Sequence, residues 1–172
     1  SFDIANSDNQ KNDIFNFFKK HKKKQLIKTN SWNYLNNKNY LNFLKNIYII
    51  NCNHLSCITL NKKIISVHMG NIFDKKIFYL FPAYDANYSK YSPGNILIFE
   101  LIKNLSLNGI NEFDFTTGNE SYKLKLSNSK KNILFKNIYL TLKGRFYSIF
   151  LLFLITLKKN YYIRLLYNKI KY

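Results

Sequence analysis

The stretch "NEFDFTTGNESYKLKLSN", residues 111–128, gathers carboxylates, hydroxyls and amines where the backbone pattern changes. Its "GNESYK" segment sets Glu120, Tyr122 and Lys123 within one helical turn, just beyond a short apolar-acidic run. A carboxylate, a phenol and an ammonium this close can take a proton, give one, and neutralise developing negative charge. Each also has a purely structural explanation: Glu120 would answer a helix dipole and Lys123 would be a solvated cation. Upstream, "FPAYDANYSKYS" collects Tyr84, Asp85, Tyr88 and Tyr91 at the end of an apolar run. Asp85 and Glu120 are the two candidate bases, whereas Asp114 reads as structural. Pro82 cannot donate to a ladder, so it predicts a bulge or an interrupted edge. A solvated tyrosine-rich loop would have the same composition.

The third constellation is "YSPGNILIFE". Pro93 cannot continue a preceding helix, Gly94 lets backbone approach a ligand closely, and the residues after them open a helix. The unpaired amides and partial positive charge of such a terminus suit phosphate, which makes Ser92, Pro93, Gly94 and Asn95 candidate phosphate contacts. An ordinary loop-to-helix junction uses the same residues, and a single glycine is a weak signal.

These side chains need elements to hold them. Residues 1–10 are polar and read as a frayed, disordered lead-in. "DIFNFFKKHKKKQ" places Ile14, Phe17 and Phe18 at helical spacing and ends in the basic run Lys19–Lys24. A second helix is expected from Ser31, as N-cap, through "WNYLNNKNYLNFLKN". "HLSCITL", "IISVHMGNIF" and "IFYLFPAYD" are β-rich runs separated by "NKK" and "DKK", so they form an antiparallel meander. "NILIFELIKNLSLNG" is a helix stopped at Gly109, "INEFDF" a strand with Phe113 and Phe115 on one face, "NESYKLKLS" a short helix and "NILFKNIYLTL" a further strand. The class is α+β: a mixed, mainly antiparallel sheet flanked by helices, with one crossover. A C-terminal helical segment covers residues 143–172, after a domain spanning 11–142.

Composition sets limits on function. The chain has 172 residues, is 47% hydrophobic, and carries a net charge of +18 from 27 basic and nine acidic side chains. Only Arg145 and Arg164 are arginines, although arginine forks phosphate better than lysine does. Lys, Asn, Ile, Phe and Tyr are enriched together, the bias of AT-rich codons, so compositional drift accounts for the charge as well as a nucleic-acid footprint does. Cys52 and Cys57 lie five apart with only His54 between, which makes no metal site and favours buried thiols in a reducing, cytoplasmic setting. No secretory leader opens the chain, and a start at Ser1 suggests a fragment or processed product. The apolar run Phe146–Leu157 is shorter than the ~20 residues that span a bilayer. With Lys158, Lys159, Arg164, Lys169 and Lys171 it either packs on the domain or rests on an anionic membrane surface.

Taken in order, a meander ending in "AYD", then "YSPG" opening a long helix, then "NGINEFDFTTGNESYK", resembles the acetyltransferase domain of the CelD/BcsL-like group. That group lies within the GNAT superfamily and is related to FemAB-type peptidyltransferases. The resemblance spans about Ile14 to Ser127 and is densest from Phe81 to Leu126. It implies a GNAT fold whose splayed strands, "IFYLFPAYD" and "INEFDF", admit an acyl donor such as acetyl-CoA or another acyl-CoA. The donor's phosphates would lie near Ser92, Gly94 and Asn95. It also implies that Tyr122 and Lys123 match an aromatic–lysine pair whose lysine offsets charge on the transferred carbonyl. The activity implied is N- or O-acyl transfer to a sugar, amine or hydroxyl acceptor of cell-envelope or polysaccharide character. Relatives often carry a second, N-terminal GNAT-like half. Two alternatives stay open: aminoacyl-tRNA-dependent transfer of the FemAB kind, and a non-catalytic basic module on a membrane or nucleic acid.

Overall fold

Two tight turns set the sheet's register. Asn61 and Lys62 (φ 49° and 64°) and Asp74 and Lys75 (φ 47° and 56°) occupy the left-handed region in pairs. That geometry matches the right-handed twist of the strands it joins. The computed structural model describes residues 1–50, 54–134 and 138–159. Its strands are β1 (Phe2–Ile4), β2 (His54–Leu60), β3 (Lys63–Phe73), β4 (Lys76–Tyr84) and β5 (Glu112–Asp114), hydrogen-bonded in that order. The first four are antiparallel neighbours, and β5 joins the edge parallel to β4. The helices are α1 (Asp8–Lys28), α2 (Lys38–Lys45), α3 (Pro93–Leu107), α4 (Ser121–Leu126) and α5 (Leu142–Lys159). This is the expected α+β, mainly antiparallel arrangement. By contact the chain divides into Ser1–Asn128 and Ser129–Tyr172, and the sheet lies wholly in the first unit.

Two apolar clusters form the core of that unit. In one, Ile14, Phe15 and Phe18 of α1 and Leu44 of α2 meet Leu55, Cys57, Val67, Met69 and Ala83. In the other, Leu97, Ile98, Leu101 and Leu105 of α3 meet Ile58, Ile77, Tyr79 and Phe115. Ile77, Tyr79 and Ala83 have the same parity in β4, yet Ala83 belongs to a different cluster. A bulge explains the switch. Met69 pairs with Phe81 and Asn71 with Phe78, so Tyr79 and Leu80 together oppose Gly70. The extra residue turns the end of β4 over. The irregularity expected at Pro82 therefore lies two to three residues earlier, while Pro82 itself stays in register opposite His68.

Three other expectations are corrected. Residues 1–10 do not fray: Phe2 pairs with Ile58 and the Ser1 ammonium donates to Thr59 O at 2.8 Å. A three-residue strand is too short for its alternation to show in sequence. α1 then starts at Asp8, with Ser7 Oγ accepting from Gln10 N at 3.3 Å. Ser31 does not cap α2. A 3₁₀ turn covers Tyr34–Asn36, and Asn37 Oδ1 accepts from Tyr40 N at 3.2 Å to start the helix, leaving Trp32 82% exposed. The strand expected over "NILFKNIYLTL" is absent among its described residues, and its final Leu142 begins α5. High β propensity forms a strand only where a partner edge is available. β5 is an edge strand, and its Glu112 pairs with Lys76 at 2.8 Å. Cys57 is a buried free thiol whose pKa burial pushes up to about 11. Cys52, Arg164, Lys169 and Lys171 lie outside the described residues.

Candidate active site

β4 and β5 run together for only three residue pairs, from Lys76–Glu112 to Phe78–Asp114. Beyond that point β4 bulges and continues to Tyr84, whereas the chain leaves β5. Asp114 Oδ1 accepts from Thr116 N at 2.7 Å in a tight turn, and Thr116 sits at φ 60°. The strands therefore part at the bulge, and among the described residues no strand pairs with the last residues of β4 on that side. The opening is a cleft of ≈ 290 Å³. Lys22 and Gln25 of α1, Tyr79, Pro82 and Tyr84 of β4, Gly94, Asn95 and Ile98 of α3, and Glu120 and Tyr122 line it.

Of the residues expected in the site, the cleft brings together Glu120, Tyr122, Gly94 and Asn95, along with Tyr84. Ser92 caps α3 in the left-handed region (φ 50°) with no side-chain cap bond, and Pro93 is buried at the first helical position. Asn95 N and Ile96 N both turn back to Ser92 O, at 2.9 and 3.2 Å. Pro93 has no N–H, so Gly94 supplies the first-turn amide with no backbone acceptor among the described residues. A Cβ on Gly94 would meet only Tyr84 Cδ1, at 3.8 Å. The space beside that amide is open, which suits an anionic group approaching a helix N-terminus.

Lys123 does not line the cleft. Its side chain is buried, and Nζ donates to Thr117 O at 2.8 Å and pairs with Glu120 Oε2 at 3.1 Å. It thus ties the "TTGNE" loop to α4 and sets the direction of the Glu120 carboxylate. A hydrogen bond from its own backbone amide, then Lys123 and Lys22, hold the Glu120 carboxyl below the usual range. It is therefore a carboxylate at neutral pH. Burial, aided by Glu120, raises the Tyr122 phenol, which consequently keeps its proton. Asp85 is buried outside the cleft. Its Oδ1 accepts from Asn87 N at 3.1 Å and lies 3.8 Å from His21 Nδ1.

The sequence reading missed Lys22, Gln25, Tyr79 and Ile98. Lys22 Nζ donates to Pro82 O and Gln25 Nε2 to Tyr84 O, both at 3.2 Å, so α1 reaches the unpaired edge of β4. A signal was present: Phe18, Lys22 and Gln25 continue the stripe begun by Ile14 and Phe15 at helical spacing. A run of consecutive lysines conceals which one faces inward.

Comparison with known proteins fits this geometry. Residues 51–124 match the family model for an acetyltransferase (GNAT) domain. That stretch, under half of the chain, is similar to a GNAT acetyltransferase domain and supports an enzyme of the acyltransferase class. The splayed sheet is that of the GNAT fold. A possible acetyltransferase from Clostridium difficile 630 superposes with a TM-score of 0.57 at 12% identity, covering 80% of this chain and 98% of that one. A predicted acetyltransferase with acetyl-CoA from Clostridium acetobutylicum gives 0.56 at 13%, covering 80% and 95%. An aminoglycoside acetyltransferase from an uncultured soil metagenomic sample, in complex with sisomicin, gives 0.51 at 14%, covering 82% and 96%. No curated protein matches the chain in sequence.

Proposed function

We propose that the protein is an acyl-CoA-dependent N- or O-acyltransferase, with acetyl-CoA as the donor, acting on a cell-envelope or polysaccharide-related acceptor. The observation that carries this reading is the coincidence of the β4–β5 splay, the open α3 N-terminus at Gly94, and Glu120 and Tyr122 in one cleft. The donor's pyrophosphate meets Gly94 and Asn95, and its thioester lies in the splay beside Tyr79. The acceptor's amine or hydroxyl attacks the thioester carbonyl, forming the new C–N or C–O bond as the C–S bond breaks. Glu120, held by Lys123, takes the acceptor's proton, and the Tyr122 phenol protonates the departing thiolate. Asp85 supports this site from outside by capping the turn that leads into α3.

The C-terminal helix adds a location. α5 exposes Phe146, Tyr147, Ile149, Phe150, Leu152 and Phe153, with Lys143 and Arg145 at its start. No helix among the described residues is long and apolar enough to cross a membrane. An apolar helix flanked by cations suits the surface of an anionic membrane, which puts the enzyme at the inner face of the cytoplasmic membrane. Co-sedimentation with anionic vesicles, lost on deleting residues 144–172, is the expected result; vesicle binding by the truncated chain refutes the anchor.

Isothermal titration with acetyl-CoA tests the donor. Saturable binding is expected in the wild type and none in Gly94→Glu, whose carboxylate would occupy the phosphate position without meeting the core. A folded wild-type protein that does not bind acetyl-CoA refutes the reading.

A further inference from the structure

The cleft's charges say something about the acceptor. Among the described residues, Lys22 and Glu120 are its charged lining residues. Glu120 is already answered by Lys123 at 3.1 Å, behind the lining. Two ammonium groups therefore share one carboxylate. Lys22 is half-buried and spends one of its three donors on a neutral carbonyl, Pro82 O, at 3.2 Å. Among the described residues no carboxylate comes within 4.0 Å of its Nζ. Lys19, Lys20, Lys23 and Lys24 flank it on α1, and the buried acid Asp85 is held by Asn87 and faces His21. A partly desolvated ammonium with surplus positive charge around it is stabilised most by an incoming anion.

We propose that Lys22 is the anion-binding residue of the acceptor site, so that the acceptor carries a carboxylate or phosphate besides the amine or hydroxyl that is acylated. The proposal rests on the acyltransfer reading of the cleft and narrows it. The donor's own phosphates are provided for separately at Gly94 and Asn95 on α3. Burial lowers the Lys22 pKa, Glu120 restores it in part and Lys123 lowers it further. That is the state expected of a cation short of counter-charge, which a bound anion would relieve. The same charge surplus disfavours a polycationic acceptor, and it separates this chain from a fold neighbour seen with sisomicin. Sugar phosphates and uronic acids, common in polysaccharide assembly, meet the requirement.

The test uses matched amino sugars, galactosamine and galactosamine 1-phosphate, with sisomicin as the polycation. Binding to the CoA-saturated full chain is followed by calorimetry and turnover by release of the CoA thiol. In the wild type the phosphorylated sugar should bind at least about 10-fold more tightly than galactosamine, and sisomicin most weakly. In Lys22→Met that preference should fall by about 10- to 100-fold, the range of a charge-assisted hydrogen bond, with acetyl-CoA affinity held within about twofold. Lys22→Arg should keep the preference. Equal binding of the two sugars, or of neither, by wild-type protein overturns the proposal. A weaker grip on acetyl-CoA in Lys22→Met would assign the anion to the donor instead. An equal fall of kcat for both sugars would place Lys22 at the reacting carbonyl. Failure of acetyl-CoA binding alone would remove the acyltransfer reading, while Lys22-dependent binding of the phosphorylated sugar would still show the anion site.

Discussion

Lowering the pH from 7 to 5 should destabilise this protein before its carboxylates titrate, because two histidines are buried without charge. His54 is 4% exposed and His68 is fully buried, with ring centroids 5.8 Å apart on neighbouring strands. His54 Nε2 and both His68 nitrogens have no protein hydrogen-bond partner among the described residues, and His68 stacks on Tyr79 at 4.5 Å. Burial brings His54 down to about 4, and burial together with His54 holds His68 well below its ordinary value. The unfolded chain takes up these protons near pH 6.5, while the folded chain takes up the His54 proton only near pH 4. Stability is therefore full above about pH 6.5 and falls as the pH drops toward 4. For His54 alone, the shift to about 4 costs about 2 kcal/mol between pH 7 and pH 5. His68 adds to this in the same direction, as does His21, whose pKa burial also lowers. Against a typical total of about 5–15 kcal/mol the loss is large. Urea unfolding followed by far-ultraviolet circular dichroism at pH 7, 6 and 5 measures it, and His54→Phe should flatten the profile by about 2 kcal/mol. Equal stability at pH 7 and 5, or an unchanged slope in His54→Phe, refutes the reasoning.

The bulge and the loop clasp give two further tests. At Gly70 an added Cβ would press on the Phe78 carbonyl and lie 2.5 Å from His68 Cε1, so Gly70→Ala should cost about 3 kcal/mol by urea unfolding. A neutral result would mean the β4 bulge relaxes freely. Lys123→Met removes the bonds to Thr117 O and Glu120, which should cost about 2 kcal/mol of stability. Turnover should fall by no more than about 10-fold, because the ammonium points into its loop rather than into the cleft; a loss of about 100-fold in folded protein would return Lys123 to the oxyanion.

The sequence determined the local parts of this molecule. Asn-Lys and Asp-Lys turns between β-branched runs fixed the meander, since those backbone angles suit few other connections. "YSPG" fixed the start of α3 through a proline that can only begin a helix. The order meander, helix, "EFDFTTGNESYK" was enough to suggest the splayed fold and to place Glu120, Tyr122, Gly94 and Asn95 in one region. Tertiary structure decided the rest. The bulge at Tyr79–Leu80 depends on register against Gly70 across a hairpin, so it leaves no trace in the local pattern of β4. The role of Lys123 depends on where one flexible side chain ends, and the carbonyl of Thr117 claimed it. Lys22 is one lysine among several in α1, and only the packing of that helix on β4 turns it toward Pro82 and the cleft. Backbone preferences act over a few residues and can be read from the chain. Which side chain meets which edge is set by contacts between residues some sixty positions apart, and these exist only once the sheet has closed.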